Sequence, residues 1–415
     1  MANTTLTADI IAKEAVRILD NELVMAKKVF RGYEEEFSKN INGYKVGDTI
    51  SIRRPTDFTV RDGPVMAVQD VVEGKTTIKI DTRKGIDFKF SSQDLTLKID
   101  ELSERVIKPA MVQLANKVDV DLHGLYTGVS NWVGTPGQLI NSFADFAKGP
   151  ERLDEGAVPQ DGRTGVLCPA DHWALVGSQT NLYNDTINKP AYREGQTGMV
   201  GGIDLYMTQN VATHITGSRT GSTLIDLSIT ASTISYADVK DTNQQTIHID
   251  ALGGATQTVK AGDVFTIDGV YAVNPVTKAP LSYLKMFTVV QDATAVGSET
   301  DLVITPAMIW TGAFKTVDVQ GVTDLNNQPV TFIGTASTGY RQNMIFHKNA
   351  FALVSVPLER PPGAVDVSRQ TYKGTSVRVI PVYDGTNDES AWRLDILYGK
   401  KVIDERLATR ISGTP

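Results

Sequence analysis

The residues of this chain whose types could do chemistry are few, and their spacing does not support chemistry. There are five histidines, His123, His172, His214, His248 and His347. No two have the spacing of a helical metal pair, and no HExxH occurs. Cys168 and His172 are four apart, as a nucleophile and its base could be, but Pro169 intervenes and no motif surrounds them. Cys168 therefore reads as a buried, inert thiol. Gly74-Lys75-Thr76 resembles the end of a phosphate-binding loop, yet that loop needs a glycine where Gln69 stands, and this segment leads into a strand. Neither GxSxG nor GxGxxG after a strand is present. The Glu34-Glu35-Glu36 run reads as a solvated helix end. Arg53, Arg54 and Arg61 could bind anions, but pairing with Asp57, Asp62 or the carboxylates of a neighbouring chain fits them better.

The elements that would carry these residues form an α+β pattern. Over 7–30, Thr7 can cap a helix in which Ile11, Ala15, Leu19, Leu23, Ala26 and Phe30 recur at helical spacing. A helix this close to the terminus needs a surface from elsewhere in the fold or from a neighbour. Over 43–90 the period changes to two. Ile50 and Ile52 alternate with polar residues, a polar stretch of mixed charge runs from Thr56 to Gly74, and Ile78, Ile80, Ile86, Phe88 and Phe90 return. This is a long hairpin that must lie on something. Leu102, Val106, Ala110, Leu114, Val118 and Leu122 predict a second helix, with Asp100 as its cap. Pro109 either kinks that helix or marks its true start.

Residues 217–340 are poor in Lys and Arg, rich in Thr and Ser, and built of short strand-like runs. They read as a small barrel or sandwich inserted into the surrounding domain. Asp268-Gly269 predicts a tight hairpin turn. Phe346–Val356, Val377–Val382 and Trp392–Leu397 read as strands.

Bulk properties narrow the function. The chain has 415 residues, a net charge of −7 and one cysteine. The acidic balance argues against gripping nucleic acid through phosphates. A lone cysteine excludes an intrachain disulfide and fits a reducing cytoplasm. No signal peptide and no apolar run of spanning length are read, so no membrane is expected.

The order of the pieces then resembles a family. Lys45-Val-Gly-Asp-Thr-Ile-Ser-Ile-Arg-Arg-Pro55 opens the hairpin, and Ile99-Asp-Glu-Leu-Ser-Glu-Arg-Val-Ile-Lys-Pro109 with Leu114-Ala-Asn-Lys-Val-Asp119 forms the second helix. Ala261-Gly-Asp-Val-Phe-Thr-Ile-Asp-Gly269 and Trp392-Arg-Leu-Asp-Ile-Leu-Tyr-Gly399 follow. Together they resemble the major capsid proteins of P22-like tailed bacteriophages, which have the HK97-type fold. That resemblance implies an N-arm over 1–42, an E-loop hairpin over 43–90 and a peripheral domain with its spine helix over 91–134. It implies an axial domain over 135–216 and 341–415, and an inserted β-barrel-like domain over 217–340. It further implies a non-enzymatic subunit without a cofactor, found in the virion and assembled in the host bacterial cytoplasm into an icosahedral head around double-stranded DNA. Its partners would be copies of itself in hexamers and pentamers, with a scaffolding protein and a portal, and no sequence-specific nucleic acid. An encapsulin-type compartment shell is the alternative. The contacts between subunits are expected at Arg53, Arg54, Asp57, Arg61 and Asp62 of the hairpin, and at Leu19, Leu23 and Phe30 of the N-terminal helix.

Overall fold

The computed structural model describes residues 8–38, 40–41, 44–45, 47–54, 56–61, 63–66, 68–91, 103–179, 198–361, 367–372 and 374–415. The expected caps Thr7 and Asp100 lie outside these residues, as do Leu102 and Asp62. The chain forms two compact units, each assembled from segments distant in sequence.

The first unit combines residues up to 51, 77–123 and 351–401. Its N-terminal helix, Ala8–Glu22, buries Ile11, Ala12, Ala15, Val16, Ile18 and Leu19. That face packs on helix Lys108–His123 and on strands Ser368–Tyr372 and Thr375–Asp384. The apolar stripe runs on to Phe30, but the helix ends at Glu22 for a reason 95 residues away. Asp119 of the second helix accepts hydrogen bonds from the amides of Val24 (2.7 Å) and Ala26 (3.1 Å). Those bonds draw the chain into a 3₁₀ turn, Met25–Lys27. Pro109 is the second residue of the α-helix and follows a π-helical turn, Ser103–Ile107, so it marks a start.

The sheet of this unit runs in the order Phe351–Ser355, Glu389–Val402, Thr375–Asp384, Ser368–Tyr372, and Thr82–Ser91 also pairs with Glu389–Val402. Three sequence expectations meet a different arrangement here. Residues 341–415 do not all join 135–216, because 351–401 supply the sheet on which the N-terminal helix rests. The Phe346–Val356 run is two strands, Asn343–His347 and Phe351–Ser355, broken where the amide of Ala350 turns back to His347 O. Nor does Thr82–Ser91 extend the hairpin. The hairpin ladder is Thr49–Arg53 with Lys75–Lys79.

The second unit holds 52–76, 124–350 and 402–415. One sheet runs Trp132–Val133, Ala408–Ile411, Asn343–His347, Arg163–Leu167, Ile203–Met207, Met199–Val200. Helix Phe143–Glu155, capped by Ser142 Oγ accepting from the Asp145 amide, and helix Pro169–Gln179 share its core of Phe146, Leu153, Leu175 and Ile345.

Between Leu224 and Phe332 the chain builds a separate antiparallel sheet around Ile247, Phe265, Phe287, Leu302 and Ile304. It closes on itself, since Ile225 N donates to Gln328 O (3.1 Å) and Val330 N to Thr223 O (2.9 Å). Closure leaves no free edge along that seam. Asp268-Gly269 is not the expected hairpin turn. Val264–Val273 is one strand, and Gly269, at φ +76°, sits at its register shift. Before the shift the strand pairs with Val330–Phe332, after it with Val317–Val319. The positive φ makes a bulge that changes partners.

Candidate functional site

Among the described residues, the hairpin loop between Arg54 and Gly74 carries the densest run of exposed large apolar side chains. Its base is locked. Arg54 Nε donates to the buried Thr76 Oγ1 (2.6 Å), and the Arg54 amide to Gly74 O (2.8 Å). The Asp57 carboxylate takes Lys278 Nζ at 3.2 Å and lies 4.0 Å from Arg406. The Lys75 amide donates to Asp241. Gly74 is required there, because a Cβ would stand 2.3 Å from Lys240 O. Close backbone approach, and not phosphate binding, explains the Gly74-Lys75-Thr76 triplet.

Farther out, Gln69 spans the loop as a substitute for a strand pair. Its Oε1 accepts from the Thr59 amide (2.9 Å) and its Nε2 donates to Thr59 O (2.6 Å). Arg61 Nη1 closes the tip onto the carbonyls of Gly63 and Val65. This order holds up an apolar surface. Phe58, Val60, Val65, Met66, Val68 and Val71 are all exposed, Val60 at 95%. Monomeric soluble proteins rarely expose so many large apolar side chains together on one loop.

The structure sorts the residues expected at contacts between subunits. Arg53 is exposed and lies 3.6 Å from the Glu73 carboxylate, and Arg61 is exposed at the tip. Arg54 and Asp57 are committed to partners in their own chain. Leu19 and Leu23 are buried within the first unit, so the surface that covers this face of the N-terminal helix comes from its own fold. Phe30 is half-buried; its amide donates to Phe351 O (3.0 Å) and its ring lies 4.8 Å from that of Tyr33. The apolar tip residues escaped sequence reasoning because they follow neither a helix nor a strand period. Their signal is a dense run of Val, Phe and Met inside a stretch full of turn residues.

The titratable groups serve the interior. His123 is buried, and burial depresses it to about 4, so it is neutral. His214 bridges Tyr126 (3.1 Å) and Asp263 (3.0 Å) inside the second unit. Burial would raise the Asp263 carboxyl, but His214, Arg219 and two amides hold it below the ordinary range. The fully buried Arg410 donates to Gly262 O (2.8 Å) and Gln342 Oε1 (3.2 Å), and burial pulls it down to about 9. Cys168 Sγ donates to Asp171 (2.8 Å), and burial with that bond pushes the thiol up, the opposite of activation. Among the described residues no three His, Cys, Asp or Glu side chains could hold a metal ion, and no helix is long and apolar enough to cross a membrane.

Comparison with known proteins decides the family. The model of the P22 coat protein, gene protein 5, matches residues 1–408. The chain belongs to the P22 coat protein family. A major capsid protein of Acyrthosiphon pisum secondary endosymbiont phage 1 is 23% identical over 427 residues, covering 98% of each chain. Among solved structures, one of Mycobacterium phage Che8 is 14% identical, covers 94% of this chain and 90% of that chain, and has a TM-score of 0.49. The capsid of Cyanophage P-SCSP1u is 11% identical, covers 89% and 84%, and has a TM-score of 0.43. As a member of the coat family the chain is the major capsid protein of a phage, a self-assembling structural protein of the virion. Membership carries with it the HK97-type architecture expected from the resemblance, and the observed mixture of helix and sheet accords with it.

Proposed function

We propose that the hairpin tip is the main contact by which one copy grips the next, in hexamers and pentamers that close an icosahedral head around double-stranded DNA. The observation that carries this reading is the pairing of an ion-locked base with an exposed apolar tip. A loop fixed at its base loses little conformational freedom when the tip is covered, so more of the burial energy goes into the contact. A valine fully buried at such a contact contributes about 1.5–3 kcal/mol. Symmetry repeats each contact around the shell, so modest pairs add to a stable particle. Arg53 and Arg61, with Asp62, lie at or near this tip in sequence and would set register more than strength.

In this reading the subunit does its work without catalysis. The inert Cys168 and the neutral, buried His123 support it. Its assembly partners in this reading are a scaffolding protein and a portal. The first unit takes the part of N-arm and peripheral domain, the second that of the axial domain, with 217–340 inserted.

The test replaces Val60, Val65 and Val68 together by Ser. Circular dichroism should show a folded chain, and electron microscopy no closed shells under conditions where the parent chain forms them. Shells of native size from the triple variant would overturn the assignment.

A further inference from the structure

The outward face of the sheet in the first unit carries more positive charge than the fold uses. Strand alternation puts Arg83, Gly85, Asp87 and Lys89 on this face of Thr82–Ser91. The register sets Gly85 opposite Asp395 and Asp87 opposite Arg393. On the other side Arg378 pairs with Asp395, and Arg369 with Arg378. Lys89 meets Glu389 at 2.9 Å. Among the described residues the cations Arg83, Lys89, Arg369, Arg378 and Arg393 thus share this face with Asp87, Asp384, Glu389 and Asp395, and they outnumber these carboxylates on a chain of net charge −7.

Asp395 is the centre. It is 2% exposed and takes three guanidinium groups, from Arg378 (2.7 Å), Arg83 (2.7 Å) and Arg393 (2.9 Å). Arg378 is buried and neutralises the carboxylate by itself. Arg83 and Arg393 are 43% and 48% exposed. As surface pairs they add about 0–1 kcal/mol each, and their like charges repel. Arg83 gives Asp395 its Nη2, and Arg393 its Nε. A guanidinium has five donors in a planar fork that matches an oxyanion in two parallel bonds. Gly85 keeps the floor clear, since a Cβ there would stand 2.6 Å from Asp395 Oδ1.

We propose that Arg83 and Arg393, held on Asp395, form a docking site for carboxylate side chains of a second copy of this chain. The occupant follows from charge and from assembly. Copies are brought together in the shell, and each carries 48 acidic against 41 basic residues, so neighbouring surfaces supply carboxylates. Asp87 and Glu389 on the same face interrupt any continuous track of phosphates, which favours discrete carboxylates over a nucleic-acid backbone. The site rests on the shell-building role only for the presence of neighbours, and it lies apart in sequence from the hairpin tip.

The test is the full-length Arg83→Gln/Arg393→Gln variant beside the parent chain, with Arg83→Lys/Arg393→Lys as a charge-preserving control. Circular dichroism reports folding, light scattering the assembly rate, electron microscopy the particles, and the 260/280 nm absorbance ratio their nucleic-acid content. The Gln variant should melt like the parent, because Arg378 still neutralises Asp395. Its assembly should slow by at least about tenfold at low salt, and about 0.5 M salt should slow the parent towards it by screening the pair. The Lys control should assemble at an intermediate rate. A folded Gln variant that assembles at the parent's rate overturns the docking site, as does one that assembles normally but holds less nucleic acid. If the Gln variant does not fold, the Lys control decides, since parent-like salt dependence with an ammonium in place of each guanidinium supports the site and salt-independent assembly refutes it. Failure of the parent itself to assemble would count against the shell-building role, not against this site.

Discussion

Replacing Asp119 by Ala should loosen the N-terminal arm from the first unit without unfolding the chain. Asp119 is 1% exposed and accepts from the Val24 and Ala26 amides at 2.7 and 3.1 Å. Alanine leaves both donors, Ala26 buried and Val24 half-buried, without this acceptor, at about 1–3 kcal/mol each. Part is returned, because burial pushes the Asp119 carboxyl above its ordinary value, so its ionised form is held at a cost that the variant no longer bears. A net loss of about 2–4 kcal/mol remains. The chain has two units, so a single unfolding midpoint is the wrong quantity. Hydrogen exchange resolved by segment is the right one. Protection of residues 11–26 should fall about 30- to 800-fold, at a factor of ten per 1.4 kcal/mol, while the barrel over 224–332 keeps its own. Asp119→Asn retains one acceptor and should lose less. The sign with pH follows from the raised value. The contribution of a carboxyl raised by folding is fully present at low pH and wanes as pH climbs through its folded value. The parent arm should therefore lose protection over that window relative to the Asn variant. Unchanged protection of 11–26 in Asp119→Ala would refute the claim that this carboxylate ends the helix.

Asp395 should behave in the opposite sense. Burial raises it, but the hydrogen bonds of Arg378, Arg83 and Arg393 hold it below the ordinary carboxylate range. Its contribution is thus present above the unfolded carboxylate value and lost as pH falls through the lower folded value. Trp392 fluorescence during acid titration should report that loss, and Asp395→Asn should abolish that pH dependence. Gly74→Ala places a Cβ 2.3 Å from Lys240 O, so the hairpin base must shift at about 1–3 kcal/mol. Proteolysis within 54–74 should then speed up while the barrel stays resistant.

The legible parts of this fold are those set by near neighbours in sequence. Alternation announced the strands around Ile50 and Ile78, and the Thr-rich texture of 217–340 announced a β unit of its own. Asp268-Gly269 shows the limit of local reading. The dipeptide does adopt a positive φ, yet whether that makes a turn or a bulge depends on Val317–Val319 and Val330–Phe332, which continue the ladder on both sides. The helix end at Glu22 was hidden for the same reason, because Asp119 fixes it from the other side of the unit. At the candidate contact, charge drew attention to Arg54 and Asp57, which serve their own chain. The exposed valines went unremarked because exposure without periodicity leaves no pattern. Asp395 and Arg83 are 312 residues apart, and only the sheet joins them.

The interleaving of segments has a consequence for synthesis. The N-terminal helix rests on strands that leave the ribosome roughly 350 residues later, about 20–70 s at 5–20 residues per second. For that interval Ile11, Ala15, Val16 and Leu19 lack part of their cover. The barrel needs nothing outside 223–332 to close its ring, so it can finish while the first unit waits. The nascent chain therefore passes through a stage with a finished insert and an open body. Concentration, temperature and chaperone supply during that interval set the yield of subunits, before any shell contact forms.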